Sequence, residues 1–218
     1  MRFFPEREAD IKVCGSPMPA HVCAYPYEIW EQVIAKQNLK KPLCVFVSVG
    51  DGNIISGIHK GFKDLLALGW IDQIPRIFGI QSEGSSAIAN AFDAGTEMIT
   101  PVRATTLADS ISVDMPRDGL RALRAATQTN GAYIKVSDEV ILEAIARLGR
   151  EGIFSEPAAA TAFAGLQRAV ADGLIAADDP VLVLSTGSGL KDVKAAEQAV
   201  KAAPIIEPSL TALQKAMA

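Results

Sequence analysis

The segment Val45–Gly61, VFVSVGDGNIISGIHKG, constrains this chain more than any other. An apolar run stops at Gly50-Asp51-Gly52-Asn53, and a helical pattern begins at once. A buried strand passing through a tight turn into a helix satisfies both patterns. Small glycines let the backbone come close to a ligand, and the free N–H groups of the new helix point at it. The layout is that of an anion site shaped for a phosphate. A plain strand-to-helix turn without a ligand stays open on this segment alone.

Strand and helix patterns alternate along the rest of the chain. Tyr27–Gln37 reads as a helix with Ile29, Trp30, Val33 and Ile34 on one face. Leu43–Val49 reads as a buried parallel strand, and Asn53–Leu68 as a helix striped by Ile54, Ile58, Phe62, Leu65 and Leu66. Strands are predicted at Arg76–Gln81, Ala132–Val136 and Pro180–Leu184. Helices are predicted at Ser85–Ala94, Arg117–Thr129, Asp138–Arg150 behind a Ser137 cap, and from Pro157 to Ala171. Thr100–Met115 reads as a loop. Ser185-Thr186-Gly187-Ser188-Gly189 leads into a helix over Leu190–Ala202, and one more short helix follows Pro204. The expected class is α/β: a three-layer, open, mostly parallel sheet with helices on both faces. The glycine turns at 50–53 and 186–189 should then face one crevice at the carboxyl ends of their strands.

Composition narrows the function. The chain has 218 residues, 49% hydrophobic and 21% charged, with a formal net charge of −4. That fits a globular α/β domain and argues against a nucleic-acid binder, whose basic face is missing beyond Lys40-Lys41. Three cysteines (Cys14, Cys23, Cys44) and two histidines (His21, His59) make no zinc pattern. The opening MRFFPEREAD turns charged too soon for a signal peptide, and no apolar run is long enough to span a membrane. A reducing, cytoplasmic setting is expected.

Two nucleotide motifs fail. G-x-G-x-x-G needs a glycine where Ile55 stands, although Glu83 imitates the ribose-binding acid, and no G-K-[ST] follows for a Walker A loop.

Four blocks, taken in order, are more specific: VSVGDGNIISGIHKGFKDL from Val47, TTLADSISVDMPRDGLRALR (Thr105–Arg124), GIFSEPAAATAFAGL (Gly152–Leu166) and LSTGSGLKD (Leu184–Asp192). With AYPYEIWEQV (Ala24–Val33) they resemble the threonine synthase branch of the fold-type-II enzymes that use pyridoxal 5′-phosphate. The likeness implies that Gly50, Asp51, Gly52, Asn53 and the backbone of Ile54 hold the cofactor phosphate. It implies that Thr186 offers its hydroxyl to the pyridine nitrogen and that Glu156 lies near the cofactor. Asp109, Ser110 and Arg117 would belong to a loop near the substrate. Bland readings stand beside these: a first-turn acid complementing the helix dipole for Glu156, and ordinary loop polarity for the other three.

The same resemblance implies a Schiff-base lysine in an N-terminal motif similar to S-F-K-D-R, and this sequence has none. Phe62-Lys63-Asp64 is a partial echo on the helix after the turn; Lys60, Lys63, Lys135 and Lys191 give no catalytic assignment. Residues 1–23 read as an irregular opening segment, 24–203 as the cofactor-phosphate domain, and 204–218 as a helical tail. The reading is the larger, C-terminal portion of a threonine synthase-like lyase, incomplete as a chain and beginning inside a larger enzyme. Its reaction would convert O-phosphohomoserine and water to threonine and phosphate. The alternatives are a non-catalytic cofactor- or anion-binding or oligomerising short paralogue, and a related lyase such as a cysteate synthase, a serine/threonine dehydratase or a diaminopropionate lyase. Expected partners are a small phosphorylated amino acid, the missing N-terminal half or a second subunit, and further copies of the chain, with no nucleic acid or membrane.

Overall fold

Five strands form one sheet: β1 (Lys12–Cys14), β2 (Cys44–Ser48), β3 (Arg76–Ser82), β4 (Tyr133–Val136) and β5 (Val181–Leu184). The computed structural model describes residues 12–14, 24–37, 39–200, 202 and 204–217. The strand order is β1-β5-β2-β3-β4, and each neighbouring pair is parallel. The helices are α1 (Tyr25–Ile29), α2 (Asn53–Ala67), α3 (Ala87–Asp93), α4 (Gly119–Thr127), α5 (Asp138–Arg150), α6 (Pro157–Ala171), α7 (Val193–Ala199) and α8 (Leu210–Met217).

The apolar run CVFVS becomes the central strand because both of its faces are covered, and all five residues are buried. Val45, Val47 and Val49 pack with Ile55, Ile58, Phe62 and Leu65 of α2 on one face of the sheet. Cys44 and Phe46 face the other layer, with Phe163 of α6 and Ile145 of α5. Phe46 and Phe78, paired across β2 and β3, stack with centroids 4.6 Å apart. Helices α1–α4 cover the first face, and α5, α6 and α7 cover the second.

That division of helices locates the crevice. β2, β3 and β4 step outward in sequence order, and β5 then returns to the opposite side of β2. The junction of β2 and β5 is therefore a topological switch point, where ligands of open parallel sheets bind outside the carboxyl ends. Both glycine turns leave the sheet there.

Three expectations need correction. The irregular opening contains strand β1, paired with β5 over Lys12–Cys14. Three residues are too few to show a period in sequence; the rest of that segment lies outside the described residues. The helix predicted from Tyr27 begins at Tyr25, with Pro26 in its first turn, and continues over Trp30–Ile34 with π-helical bonding. The helix predicted over Leu190–Ala202 is split. Gly189–Lys191 forms a single 3₁₀ turn, and Asp192, at φ −143°, restarts the chain as α7 by accepting from Ala195 N–H at 3.0 Å. A residue that caps a helix cannot also sit inside one.

Candidate cofactor site

The turn after β2 is built around Gly52. Its φ is +92°, a left-handed conformation that side-chain-bearing residues rarely adopt. A Cβ there would also stand 2.7 Å from Ala122 Cβ. Gly52 is the N-cap of α2 and has no side chain to satisfy the helix start. The first bond of the helix runs from Ser56 N–H to Gly52 C=O at 3.1 Å. The amides of Asn53, Ile54 and Ile55 therefore precede the ladder, as in any uncapped helix, and an anion is their natural acceptor. Asn53 is exposed and Ile54 half-buried, so the turn is open on that side, while Gly50 is buried beneath it.

Asp51 is turned away from such an anion. Its Oδ1 accepts from the backbone N–H of Arg117 at 3.1 Å, and its C=O accepts from Asp118 N–H at 2.9 Å. What Asp51 gives to a phosphate is the backbone it fixes; its carboxylate holds the neighbouring loop. That loop carries the other substrate candidates. Asp109 and Ser110 stand exposed on a 3₁₀ turn, Asp109–Ile111. Arg117 is also exposed, two residues ahead of α4 rather than inside it.

The second turn is held by a strap from the start of α6. Ser155 and Ser188 form an antiparallel bridge, Gly189 N–H donates to Phe154 C=O at 2.9 Å, and Glu156 N–H donates to Gly187 C=O at 3.1 Å. The hydroxyls of Ser155 and Ser185 lie 2.8 Å apart. Glu156 is buried, at 6% exposure, and is the N-cap of α6, yet its side chain caps nothing. Its carboxylate lies instead against Gly187, next to half-buried Thr186, with Lys191 Nζ 3.6 Å away. The plain helix-acid reading of Glu156 thus loses ground: the carboxylate is directed at the turn.

A polar ligand at this edge has an independent sign. Ser48, last residue of β2, and Ser56, in the first turn of α2, are both buried, and neither hydroxyl has a hydrogen-bond partner among the described residues. Buried hydroxyls are nearly always paired. Two orphans flanking one turn fit a site whose occupant supplies polar atoms. Neither serine stands out in the sequence: the only signal is a hydroxyl ending an otherwise apolar strand.

The lysines weighed from sequence are placed as follows. Lys60 pairs with Asp64, Lys63 donates to Gln128 at 2.9 Å, and Lys135 pairs with Asp93 at 2.7 Å. Lys191 alone of the four reaches the crevice, on the Glu156 side. No cluster of potential metal ligands occurs among the described residues.

Comparison with known proteins gives a consistent picture. A family described as "Pyridoxal-phosphate dependent enzyme" matches residues 19–187. A threonine synthase of Methanocaldococcus jannaschii is 37% identical over 191 residues, covering 87% of this chain and 46% of that protein. The crystal structure of threonine synthase from Escherichia coli superposes with a TM-score of 0.64 at 20% identity, covering 89% of this chain and 43% of that one. The processed form of threonine deaminase isoform 2 from Solanum lycopersicum superposes at 0.61 with 19% identity, covering 90% and 45%. The last two likenesses establish the fold. The chain spans under half the length of the curated relatives it matches first.

Proposed function

This chain belongs to the pyridoxal-phosphate-dependent enzyme family, and we propose that it forms the cofactor-phosphate portion of a threonine synthase-like lyase. The carrying observation is the pair of turns at the β2/β5 switch point. One presents uncapped helix amides, and the other carries half-buried Thr186 next to Gly187, against which the buried Glu156 carboxylate lies.

The residues fit the family's cofactor. The amides of Asn53, Ile54 and Ile55, exposed by the Gly50–Gly52 turn, would hold its phosphate. Thr186 would meet the pyridine nitrogen with an uncharged hydroxyl, which leaves that nitrogen unprotonated and favours elimination and replacement over transamination. When bound, pyridoxal 5′-phosphate supplies an electron sink for charge developing at the substrate α carbon. Glu156 would fix the Thr186-Gly187 backbone by filling the space beside it. Asp109, Ser110 and Arg117 would face the substrate, for which O-phosphohomoserine is the proposed molecule and threonine and phosphate the products. The lysine that moves protons in such a reaction would come from the remainder of the enzyme, on the same or another polypeptide.

A second reading is a protein that binds the cofactor or a phosphate without turning over. It is favoured by the lysine positions, since Lys60, Lys63 and Lys135 are engaged elsewhere and Lys191 is paired with Glu156. Titration of the chain with pyridoxal 5′-phosphate, followed by borohydride reduction and intact-mass analysis, tests the binding on which both readings rest. Saturable binding without an adduct fits both readings, and phosphate release from O-phosphohomoserine once a lysine-bearing half is supplied would then single out the lyase. A single adduct mapped to one lysine would show a site complete within this chain. No binding of the cofactor or of inorganic phosphate would remove both readings.

A further inference from the structure

The segment from Thr105 to Asp118 crosses the carboxyl edge of the sheet with a single 3₁₀ turn as its regular structure. It is fastened at four places: Thr105 N–H donates to Gly84 C=O at 2.9 Å, and three side chains hold the rest. At one end Asp138 Oδ1 accepts from Thr106 Oγ1 at 2.5 Å and from Ser82 Oγ at 3.1 Å, while Oδ2 accepts from Leu107 N–H at 2.8 Å. In the middle Ser85 Oγ donates to Ile111 C=O and accepts from Val113 N–H, both at 3.0 Å. At the other end Asp51 holds Arg117 and Asp118. The three side-chain fasteners start from the carboxyl ends of β4, β3 and β2 respectively, and only Asp51 belongs to the anion turn.

Asp138 is the first residue of α5, directly after the Ser137 cap. An acid there commonly does no more than complement the helix dipole from solvent. Here both oxygens are used, and two of their three donors belong to the loop. Hydrogen bonds to a charged acceptor are about twice as strong as neutral ones. Asp138 therefore sets where Thr106 and Leu107 lie, and through them Asp109 and Ser110, two and three residues beyond Leu107.

We propose that Asp138 is a positioning residue for the Asp109-Ser110 turn, acting together with Asp51 so that filling the anion turn secures the whole loop over the crevice. This rests on the phosphate reading of the 50–54 turn. An anion bound to the α2 amides holds the turn rigid, and Asp51 passes that rigidity to Arg117 and Asp118. Between the fastenings at Thr105 and Ile111, residues Thr106 to Ser110 can follow only while Asp138 grips Thr106 and Leu107. Neither Asp138 nor Thr106 is part of the anion turn, so changing them separates ligand binding from loop closure.

Hydrogen–deuterium exchange of the full chain, with and without pyridoxal 5′-phosphate and with inorganic phosphate as a second probe, tests this. In the native chain the ligand should slow exchange across 105–118. In Asp138→Asn and Thr106→Val, cofactor affinity should stay within about threefold. Ligand-dependent protection of 106–110 should fall about tenfold, with protection at 111–113 and 117–118 retained. Thr106→Ser, which keeps the hydroxyl, should restore protection. Unchanged ligand-dependent protection at 106–110 in both variants would overturn the inference, as would affinity and protection lost in parallel. If the native chain binds neither probe, the phosphate reading fails, and the inference with it; that failure shows in the native chain rather than in the variants.

Discussion

The carboxylate of Glu156 lies against the Cα of Gly187, so close that a Cβ on Gly187 would stand 1.9 Å from Glu156 Oε1. Glu156 comes from the connection between α5 and α6 and Gly187 from the turn after β5, and they share one hydrogen bond, from Glu156 N–H to Gly187 C=O. The glycine is thus required by its neighbour's side chain rather than by its own φ, which is not in the left-handed region. Gly187→Ala should destabilise the fold by about 1–3 kcal/mol through overpacking, and should disturb Thr186 beside it. Glu156→Ala removes the obstructing carboxylate. The double variant should therefore recover much of the loss, with a coupling of roughly 1–2 kcal/mol in a denaturant double-mutant cycle. Strict additivity of the two changes would show that they do not share this space.

Gly52 is a different case, constrained twice. Its φ of +92° penalises any side chain, and a Cβ would approach Asp118 C=O to 3.0 Å as well as Ala122. Gly52→Ala should cost about 2–4 kcal/mol in urea denaturation, the sum of strain and overpacking. It should also weaken phosphate or pyridoxal 5′-phosphate binding by displacing the amides of α2. Gly69 offers a control: its φ is +70°, but nothing lies within 4 Å of an added Cβ. Gly69→Ala should cost only the conformational part, about 1 kcal/mol, and should not alter binding.

The contrast between these glycines shows what the sequence could reveal. The glycine turn between β2 and α2 was legible because an apolar run ends at Gly50-Asp51-Gly52 and a 3.6-residue period starts immediately after it. The helix α5 and its Ser137 cap were legible for the same kind of reason: the signal is local, and Ser137 Oγ does accept from Val140 N–H. Contacts between distant segments were not legible. Nothing in the spacing of Asp51 and Arg117, or of Thr106 and Asp138, says that each pair meets, because such hydrogen bonds depend on how loops cross the sheet edge. Ser48 and Ser56 were missed since a serine in an apolar context carries no sign of whether its hydroxyl is paired. Strand β1 escaped because its pairing with β5, not any pattern within Lys12–Cys14, makes it a strand.

Gln81 carries a prediction on the support of the turn. The residue is buried at 1% exposure; its Nε2 donates to Val49 C=O at 3.3 Å, and its Oε1 accepts from Ile88 N–H at 3.0 Å and Ala89 N–H at 2.8 Å. One side chain thereby caps α3 and braces the residue just before Gly50. Gln81→Leu leaves three buried backbone groups without their partner, and each unpaired buried group costs about 1–3 kcal/mol. A loss of about 3 kcal/mol or more in denaturation is expected, with the slope against denaturant unchanged. A loss below about 1 kcal/mol would mean that water or a repacked neighbour satisfies these groups.

His59 fixes the pH dependence of the fold. It lies on the buried face of α2 at 5% exposure, and its Nε2 has no hydrogen-bond partner among the described residues. Burial, with a smaller contribution from the Lys63 charge, lowers its pKa from 6.5 to about 4. In the unfolded chain the imidazole regains its ordinary value, so between these pH values the unfolded state binds a proton that the folded state does not. Stability is therefore fully present above about pH 6.5 and declines as the pH falls toward 4, by up to roughly 3 kcal/mol. Glu97 and Glu139, whose pKa values are lowered below 4.5, contribute their own loss only at the acid end of this range. His59→Leu cannot take up the proton, and its stability should be nearly flat from pH 7 to 5 where the native chain already weakens. Urea midpoints measured at half-unit pH steps on both proteins check this, and parallel curves would mean that His59 is not held neutral in the core.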